Sequence, residues 1–254
     1  MMELLTFEWR RAKSIRTTWI TSLFVILAAA SFAYLGTFAD DFDEGLDRLP
    51  TTDVVSGALL GNPIVIVLIA SLGAMAFGHE YRYGTIRLTL TAFPGRFGVF
   101  IAKLFATVVL TLIVVALAAA AGYALLVLLG ETASGGQTWA TVVWQLAVFA
   151  LTYALLAFSI TLITRNHPLG IIGPLILLLL EQAVIGLLGA RLEWLPSLLP
   201  LASMQSWFSG GDVALSAGVW AAWVVGLLLV GLVLLRRRSR NSPTSNRQIG
   251  RAHV

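Results

Sequence analysis

Six hydrophobic stretches, each about 20 residues or longer, dominate the sequence. They cover residues 19–38, 57–77, 104–129, 141–163, 169–189 and 216–235. A helix that rises about 1.5 Å per residue needs about 20 apolar residues to cross a bilayer core of roughly 30 Å. A backbone in lipid must satisfy its own hydrogen bonds, and these stretches lack the alternation of barrel strands. We therefore predict an all-α membrane protein with six transmembrane helices.

Charged residues are few and unevenly placed. They make up 12% of the 254 residues, against about a quarter in soluble domains, which excludes an ordinary soluble enzyme. Of the 17 Lys and Arg residues, 15 lie before span one, between spans two and three, between spans four and five, or after span six. The positive-inside bias then predicts that both termini are cytoplasmic. Because these cations flank spans, we predict a lipid bilayer and no nucleic acid as their partner.

The first 16 residues predict a separate amphipathic helix on the inner membrane surface. At 3.6 residues per turn, Leu5 and Trp9 fall on one side, and Arg10 and Lys13 fall on the other. Glu8 interrupts the apolar side. One interpretation is an elbow helix that anchors the chain at the lipid headgroups. The other is a charged leader that only sets the orientation of the spans.

Residues 191–215, between spans five and six, predict a re-entrant segment on the outer side. The segment is too apolar for a solvated loop, and Pro196 and Pro200 interrupt it too strongly for a full span. Irregular backbone at membrane depth is tolerated only where it is buried in protein or faces a cavity. We therefore expect a short hairpin that dips back into the outer leaflet.

The end of the chain differs in character from the rest. Its last six residues read Ile-Gly-Arg-Ala-His-Val, which is the translation of ATCGGAAGAGCACACGTC, a widely used sequencing-adaptor string. Such scars are excluded from reasoning about the fold. We therefore predict one transmembrane domain over residues 1–247 and a non-native tail over residues 248–254.

The loop between spans two and three predicts a short helix parallel to the membrane. Gly84 permits a sharp turn out of span two, and Thr85 can cap the helix that follows. Three apolar residues then share one helical face: Ile86, Leu90 and Phe93. Pro94 and the glycine after it end the helix. A helix of two turns with apolar and cationic side chains is suited to docking into a groove of a partner protein.

This loop resembles the cytoplasmic loop of the permease subunits of ABC-2 type exporters. The resemblance is carried by the string Glu80-Tyr81-Arg82-x-Gly84-Thr85-x-Arg87, then Pro94-x-Arg96, and Lys103 at the start of span three. It extends over nearly the whole chain, through the amphipathic start, six spans, a Leu-Pro segment before span six and an Arg-rich exit. Ala92-Phe93 departs from the family pattern, in which a smaller aliphatic residue is expected, and leaves the detail of the docking surface open.

The resemblance implies a coupling helix at about Thr85–Phe93 that contacts a separate ATP-binding subunit. ATP and Mg would bind to that partner, and this chain would hold no cofactor. Two permease chains, identical or paired with a relative, would form the substrate pathway in a bacterial cell membrane and carry a hydrophobic or amphipathic compound outward. The residues that the resemblance implies for contact with the partner are Glu80, Tyr81, Arg82, Gly84, Thr85, Arg87, Leu90, Pro94 and Arg96.

The residues themselves agree that this chain does not hydrolyse ATP. It has no G-x-x-x-x-G-K-[ST] motif, and its two lysines lie in no glycine-rich loop. Energy must then come from a partner or from an ion gradient, so a gradient-driven carrier or channel is the alternative function. Hydrolase motifs are missing from the sequence, and without Cys it has no thiolate nucleophile. We therefore predict no catalytic residue. His79 and His167 are far apart in sequence, and we predict no metal site.

Three polar residues near or within the spans each have two interpretations. Glu80 could brace the hinge between span two and the coupling helix by pairing with Arg82, Arg87 or another cation; the alternative is an exposed ion pair of about 0–1 kcal/mol. Glu181 is the one formal charge within a span and could bind a cationic substrate or relay a proton. It could instead be a neutral or hydrogen-bonded carboxyl that faces Gln145, Gln182 or a partner helix. Asn62, before a proline that interrupts span two, is a second candidate for the substrate path; the alternative is an ordinary kink, since Pro is frequent in membrane helices.

Overall fold

The computed structural model describes residues 2–41, 49–93, 95–189 and 191–237. Those residues form ten α-helices and no strand, so the predicted all-α class is confirmed. The helices are α1 Met2–Ser14, α2 Arg16–Asp41, α3 Thr51–Leu59, α4 Pro63–Arg82, α5 Ile86–Ala92, α6 Arg96–Leu129, α7 Trp139–Thr164, α8 His167–Leu188, α9 Pro200–Phe208 and α10 Val213–Arg237. A short 3-10 helix, Pro196–Leu198, precedes α9. The predicted tail, residues 248–254, lies outside the described residues.

Six of these helices are long and apolar enough to cross a membrane, as predicted. They are α2, α4, α6, α7, α8 and α10. Span two differs in its bounds, because the helix begins at Pro63 and continues to Arg82 rather than covering residues 57–77. The Asn62 carboxamide accepts a hydrogen bond from the Ile64 amide and caps the helix. Residues 57–59 belong instead to α3, which the turn at Gly61 separates from α4.

Span three also begins earlier than predicted, at Arg96 rather than at residue 104. The hydrophobic pattern placed the boundary after Lys103 because a lysine ammonium is costly in an apolar environment. In the structure the helix runs through Lys103, whose side chain is buried against acidic partners. A charge that sequence reasoning assigned to the membrane boundary is therefore part of the packed helix bundle.

The α4 and α7 helices form the centre of the bundle. In each, 67% of the most apolar window is buried, against 11% in α8, so the other spans surround these two. The main apolar cluster joins Ile66 and Ile69 of α4 to Phe149 and Tyr153 of α7. Gly73 allows this close packing, because a Cβ there would overlap the backbone carbonyl of Ala154. Small residues permit the same approach of backbones in other membrane bundles.

Replacing Gly73 by Ala is therefore expected to force α4 and α7 apart and to destabilise the fold by about 1–3 kcal/mol, the range for overpacked interiors. The measurement is thermal unfolding of the purified chain in detergent. Gly186→Ala on α8 is the matched control, since no atom lies within 4 Å of a Cβ built there. Equal unfolding temperatures for the two variants would contradict the close α4–α7 contact.

The two ends of the bundle carry different short elements. We call the end with α1 and α5 the α1 end; α3 and the loop before α7 lie at the opposite end, where Thr51 Oγ1 donates a hydrogen bond to the Ala133 carbonyl. The α9 helix packs mainly against α10, and its Leu201 and Met204 are buried in the main apolar cluster. Sequence reasoning predicted a re-entrant segment here. The structure places a short, partly buried helix in that segment.

Candidate coupling site

The helix predicted between spans two and three is present as α5, residues Ile86–Ala92. The chain leaves α4 at Tyr83 and turns at Gly84, whose φ of +68° lies in the region that favours glycine. Thr85 stands at the N-cap position, but its side chain makes no capping hydrogen bond and its backbone is helical. The prediction that Thr85 caps the helix is therefore wrong. Gly84 and the packing described below fix the start of α5 instead.

Four charged side chains meet beneath α5 at the α1 end. Lys103 Nζ of α6 lies 2.7 Å from Glu80 Oε1 of α4 and 2.9 Å from Glu8 Oε1 of α1. Arg11 of α1 pairs with Glu80 through Nη1, and its Nε lies 3.4 Å from Glu8 Oε2. We call Glu8, Arg11, Glu80 and Lys103 the ion cluster. With two carboxyl groups and two cations, its formal charges balance.

Three members of the ion cluster are buried, and the fourth, Arg11, is partly buried, with a side chain that is 19% exposed. Glu8, Glu80 and Lys103 are 2%, 4% and 1% exposed, and the Lys103 side chain is wholly covered. Removing a charge from water costs several kcal/mol, and only close opposite charges and hydrogen bonds offset that loss. The members of the cluster therefore depend on one another, because the loss of any one leaves an unbalanced charge in the interior. An adjoining cavity of about 40 Å³ is large enough for a water molecule.

The ion cluster also makes hydrogen bonds to the backbone of α4 and to a side chain of α5. Arg11 Nη2 donates a hydrogen bond of 2.8 Å to the Ala76 carbonyl, which ties α1 to α4. Thr89 Oγ1 of α5 donates to Glu80 Oε1 over 3.2 Å, and Thr89 is itself buried. Glu80 therefore receives contacts from three elements, α1, α5 and α6. No other described carboxyl group at this end joins as many helices.

These contacts decide between the two interpretations of Glu80. Its partners are Arg11 and Lys103, whereas Arg82 and Arg87 are exposed. The interpretation of Glu80 as part of an exposed ion pair is wrong, because Glu80 is buried. The geometry agrees with a brace at the hinge between span two and α5. The partners of Glu80 come from α1 and α6 rather than from the loop itself.

The apolar face of α5 packs against its own chain. Ile86 contacts the cluster that contains Phe77 and Phe100, and Leu90 packs with Leu4 and Val99. The ring of Phe93 lies 5.5 Å from the ring of Phe7 on α1. Sequence reasoning assigned this face to a partner. In the structure it seats α5 on α1, α4 and α6.

The outward face of α5 carries different side chains. Leu88 and Tyr83 are 70% and 69% exposed, and Arg87 is exposed beside them. A groove of about 410 Å³ lies between α5 and α1, lined by Phe7, Leu88 and Ala92 among others. Large apolar side chains exposed next to a cation, outside the spans, form a surface suited to protein contact. We call Arg87 and Leu88 of α5, together with Tyr83 of the turn before it, the outer face of α5.

The remaining residues of the loop motif lie around this centre. Tyr81 stacks on Phe77, with ring centroids 6.0 Å apart, and the Arg165 guanidinium lies 5.9 Å from the Tyr81 ring. Arg96 Nη1 donates a hydrogen bond of 2.9 Å to the Leu235 carbonyl, which ties the start of α6 to the end of α10. Pro94 lies outside the described residues.

The two candidates for the substrate path lie apart from the ion cluster. Asn62 caps α4 at the opposite end. Glu181 of α8 is 4% exposed and accepts hydrogen bonds from the backbone amides of Leu201 and Ala202, at 3.0 to 3.3 Å. These amides open α9, where the helix dipole favours a negative group. Glu181 thus faces a helix, in line with the hydrogen-bonded alternative, whereas Gln145 bonds the Phe208 carbonyl instead.

Sequence reasoning missed Glu8, Arg11 and Thr89 as members of the site. The available signal was Glu8, an acidic residue on the otherwise apolar side of an amphipathic helix, three residues before a cation. Such an interruption indicates a buried partner elsewhere in the fold, because an isolated charge on a packed face is costly. The two histidines predicted not to bind metal come close, with ring centroids 5.3 Å apart. No group of three or more metal-ligating side chains occurs among the described residues.

Comparison with known proteins identifies the family. The sequence model of the family described as "ABC-2 family transporter protein" matches residues 4–181, which include most of α1, all of α2 to α7, most of α8 and the whole ion cluster. A search of curated proteins finds no match. The match covers more than half of the chain and agrees with the resemblance of the loop motif. The chain therefore belongs to the ABC-2 transporter family and is a membrane permease of an ABC transporter.

Proposed function

We propose that the chain is the permease subunit of an ATP-driven exporter in a bacterial cell membrane. In this proposal two permease chains form the substrate pathway, and two separate subunits bind ATP and Mg. The α1 end faces the cytoplasm, in keeping with the positive-inside bias. The observation that carries the proposal is the buried ion cluster directly beneath a helix with an exposed apolar and cationic face.

The ATP-binding subunit would dock on the outer face of α5. Leu88 and Tyr83 supply apolar contact area, and Arg87 supplies a cation for an acidic group on the partner. The groove between α5 and α1 would receive a side chain from that partner. Aromatic and arginine side chains that become buried on binding carry much of the binding energy at protein interfaces.

Movement of the partner would then reach the spans through the ion cluster. A push on α5 acts on Glu80 through Thr89, and on α4 and α6 through Glu80 and Lys103. Because separating one buried charge from the others is costly, α1, α4, α5 and α6 would move together. The cluster would convert a local contact into a shift of two spans and the surface helix.

Leu88→Glu tests this docking surface. The substitution is expected to reduce association with the ATP-binding subunit about tenfold or more, equivalent to about 1.4 kcal/mol, because it places a carboxyl at the centre of an apolar contact. The measurement is co-purification from native membranes of a chain that contains G-x-x-x-x-G-K-[ST] and hydrolyses ATP.

Leu198→Glu, on the 3-10 helix at the opposite end, is the matched control; it introduces the same charge at a residue that is 46% exposed. It should leave association unchanged. If the wild-type chain transports in vesicles without such a partner, driven by an ion gradient, the exporter proposal is wrong and the carrier alternative holds. Unchanged partner binding by Leu88→Glu would contradict only the docking surface.

A further inference from the structure

A cleft between α6 and α7 runs from the apolar zone of the bundle to the polar loop at the opposite end. Its inner compartment has a volume of about 550 Å³ and is lined by apolar side chains, among them Val115, Ala116, Ala119 and Ala120 of α6 and Val143 and Ala147 of α7. Its outer compartment, of about 640 Å³, is lined largely by polar side chains. Tyr123 and Trp139 line both, so the two compartments adjoin. We call them together the α6–α7 cleft.

The depth of the inner compartment corresponds to one bilayer leaflet. Its lining runs from Leu112 to Tyr123 along α6, about 16 Å at 1.5 Å per residue, or about half of a 30 Å hydrocarbon core. Tyr123 and Trp139 meet edge to face, with ring centroids 5.1 Å apart. Tyr and Trp concentrate where the hydrocarbon meets the headgroups. This aromatic pair therefore marks the depth at which a lipid tail would end and a headgroup would begin.

The outer compartment has the chemistry of a headgroup site. Thr132, Ser134 and Gln137 supply hydroxyl and amide groups on its wall. Asp53 lies beside it, and its carboxylate accepts a hydrogen bond of 3.4 Å from the backbone amide of Gln137. None of the described residues that line either compartment is a lysine or an arginine. The charge balance thus favours a headgroup that carries an amine and disfavours a purely anionic one.

We propose that the α6–α7 cleft binds one amine-bearing phospholipid from the leaflet at the end of the bundle opposite α1. An acyl tail of the lipid occupies the inner compartment, and the amine-bearing headgroup lies in the outer compartment near Asp53. The inner volume falls in the range of small-molecule sites, about 300–1,000 Å³. The site requires only that the spans cross a bilayer. It does not depend on ATP coupling.

The test measures the lipid that the full-length chain retains. The chain, with any subunits that co-purify, is placed in bilayer discs made of equal amounts of phosphatidylethanolamine and phosphatidylglycerol, then released and weighed by native mass spectrometry. We expect one phosphatidylethanolamine per chain, retained in preference to phosphatidylglycerol. Ala120→Trp fills the inner compartment and should lower this retention about tenfold, which needs a loss of only about 1.4 kcal/mol.

Ala124→Trp is the matched control, because Ala124 is an exposed alanine one turn along α6 that does not line the cleft. It should retain lipid like the wild type, which also shows that a tryptophan on this helix is tolerated. Equal retention by Ala120→Trp and the wild type would overturn the site. Equal retention of the two lipids would overturn the headgroup assignment. Because the sequence has no Cys, Ala120→Cys can be cross-linked cleanly, and efficient linkage between two copies would mean that a second chain covers the cleft.

Discussion

A chain with Lys103→Met is expected to lose most of its transport and about 3–5 kcal/mol of stability. The substitution keeps a side chain of similar length but leaves Glu8 and Glu80 in the interior with Arg11 as their one remaining cation in the ion cluster. Breaking a buried ion pair by removing one partner has a cost of this order. The measurements are thermal unfolding in detergent and transport by vesicles that also contain the proposed ATP-binding subunit.

Two further variants make this result specific. Lys13→Met removes the other lysine of the chain, which is exposed on α1, and should leave both measurements near wild type. Lys103→Met combined with Glu80→Gln restores the charge balance and should recover much of the stability. Transport should stay low in the double variant, because the charged link between α4 and α6 is gone. Wild-type unfolding of Lys103→Met alone would refute the ion cluster as a stabilising unit.

The ion cluster also gives α1 a role beyond setting orientation. A charged leader would need no contact with the bundle, yet Glu8 and Arg11 are joined to α4 and α6 by side-chain contacts. Leu4 and Leu5 add apolar contacts with Val99 and Leu90. The α1 helix is therefore packed into the bundle by both charged and apolar contacts. Any partner that moves α5 also acts on α1.

The spans were predictable because their signal is local. A run of about 20 apolar residues indicates a membrane helix whatever the rest of the chain does, and each of the six runs lies wholly or mostly within one long helix. The helix ends were less predictable, because they depend on particular contacts. Asn62 delays the start of span two by capping it, and Lys103 lies within span three because acidic residues of other helices surround it.

The ion cluster could not be predicted from the sequence, because it too depends on particular contacts between distant residues. Arg11 and Glu80 are 69 positions apart, and no local pattern pairs them. The loop motif drew attention to Glu80, but the sequence left its partner open among Arg82, Arg87 and the other cations of this end. Burial decided the pairing, since an interior carboxyl group is stable only beside the cations that are buried with it.

Glu181 was identified by its position in a span, but its partner could not be read from the sequence. The partner consists of two backbone amides at the start of α9, about 20 positions away. Backbone groups carry no sequence signal, so a search for complementary side chains could not find them. Pro200, at the first position of α9, was visible in the sequence and is typical of a helix start.

Glu181→Leu is expected to release the start of α9 and to impair transport, whereas Glu181→Gln is expected to keep most of both. The leucine leaves the buried amide of Leu201 without an acceptor, at about 1–3 kcal/mol, and the partly buried amide of Ala202 at a smaller cost. The glutamine oxygen can replace Oε2, which accepts both bonds, from Leu201 at 3.1 Å and from Ala202 at 3.0 Å. Hydrogen exchange at these amides reports the release of α9, and vesicle assays report transport.

The pair of variants separates a structural role from a chemical one. A hydrogen-bonded carboxyl that holds α9 needs an acceptor but no charge, so glutamine should suffice. Binding a cationic substrate or relaying a proton requires the ionisable group, which glutamine lacks. If Glu181→Gln protects the α9 amides from exchange like the wild type yet abolishes transport, the chemical role is correct. If Glu181→Leu exposes these amides while transport persists, the prediction is wrong, because α9 can then leave its site without affecting the substrate pathway.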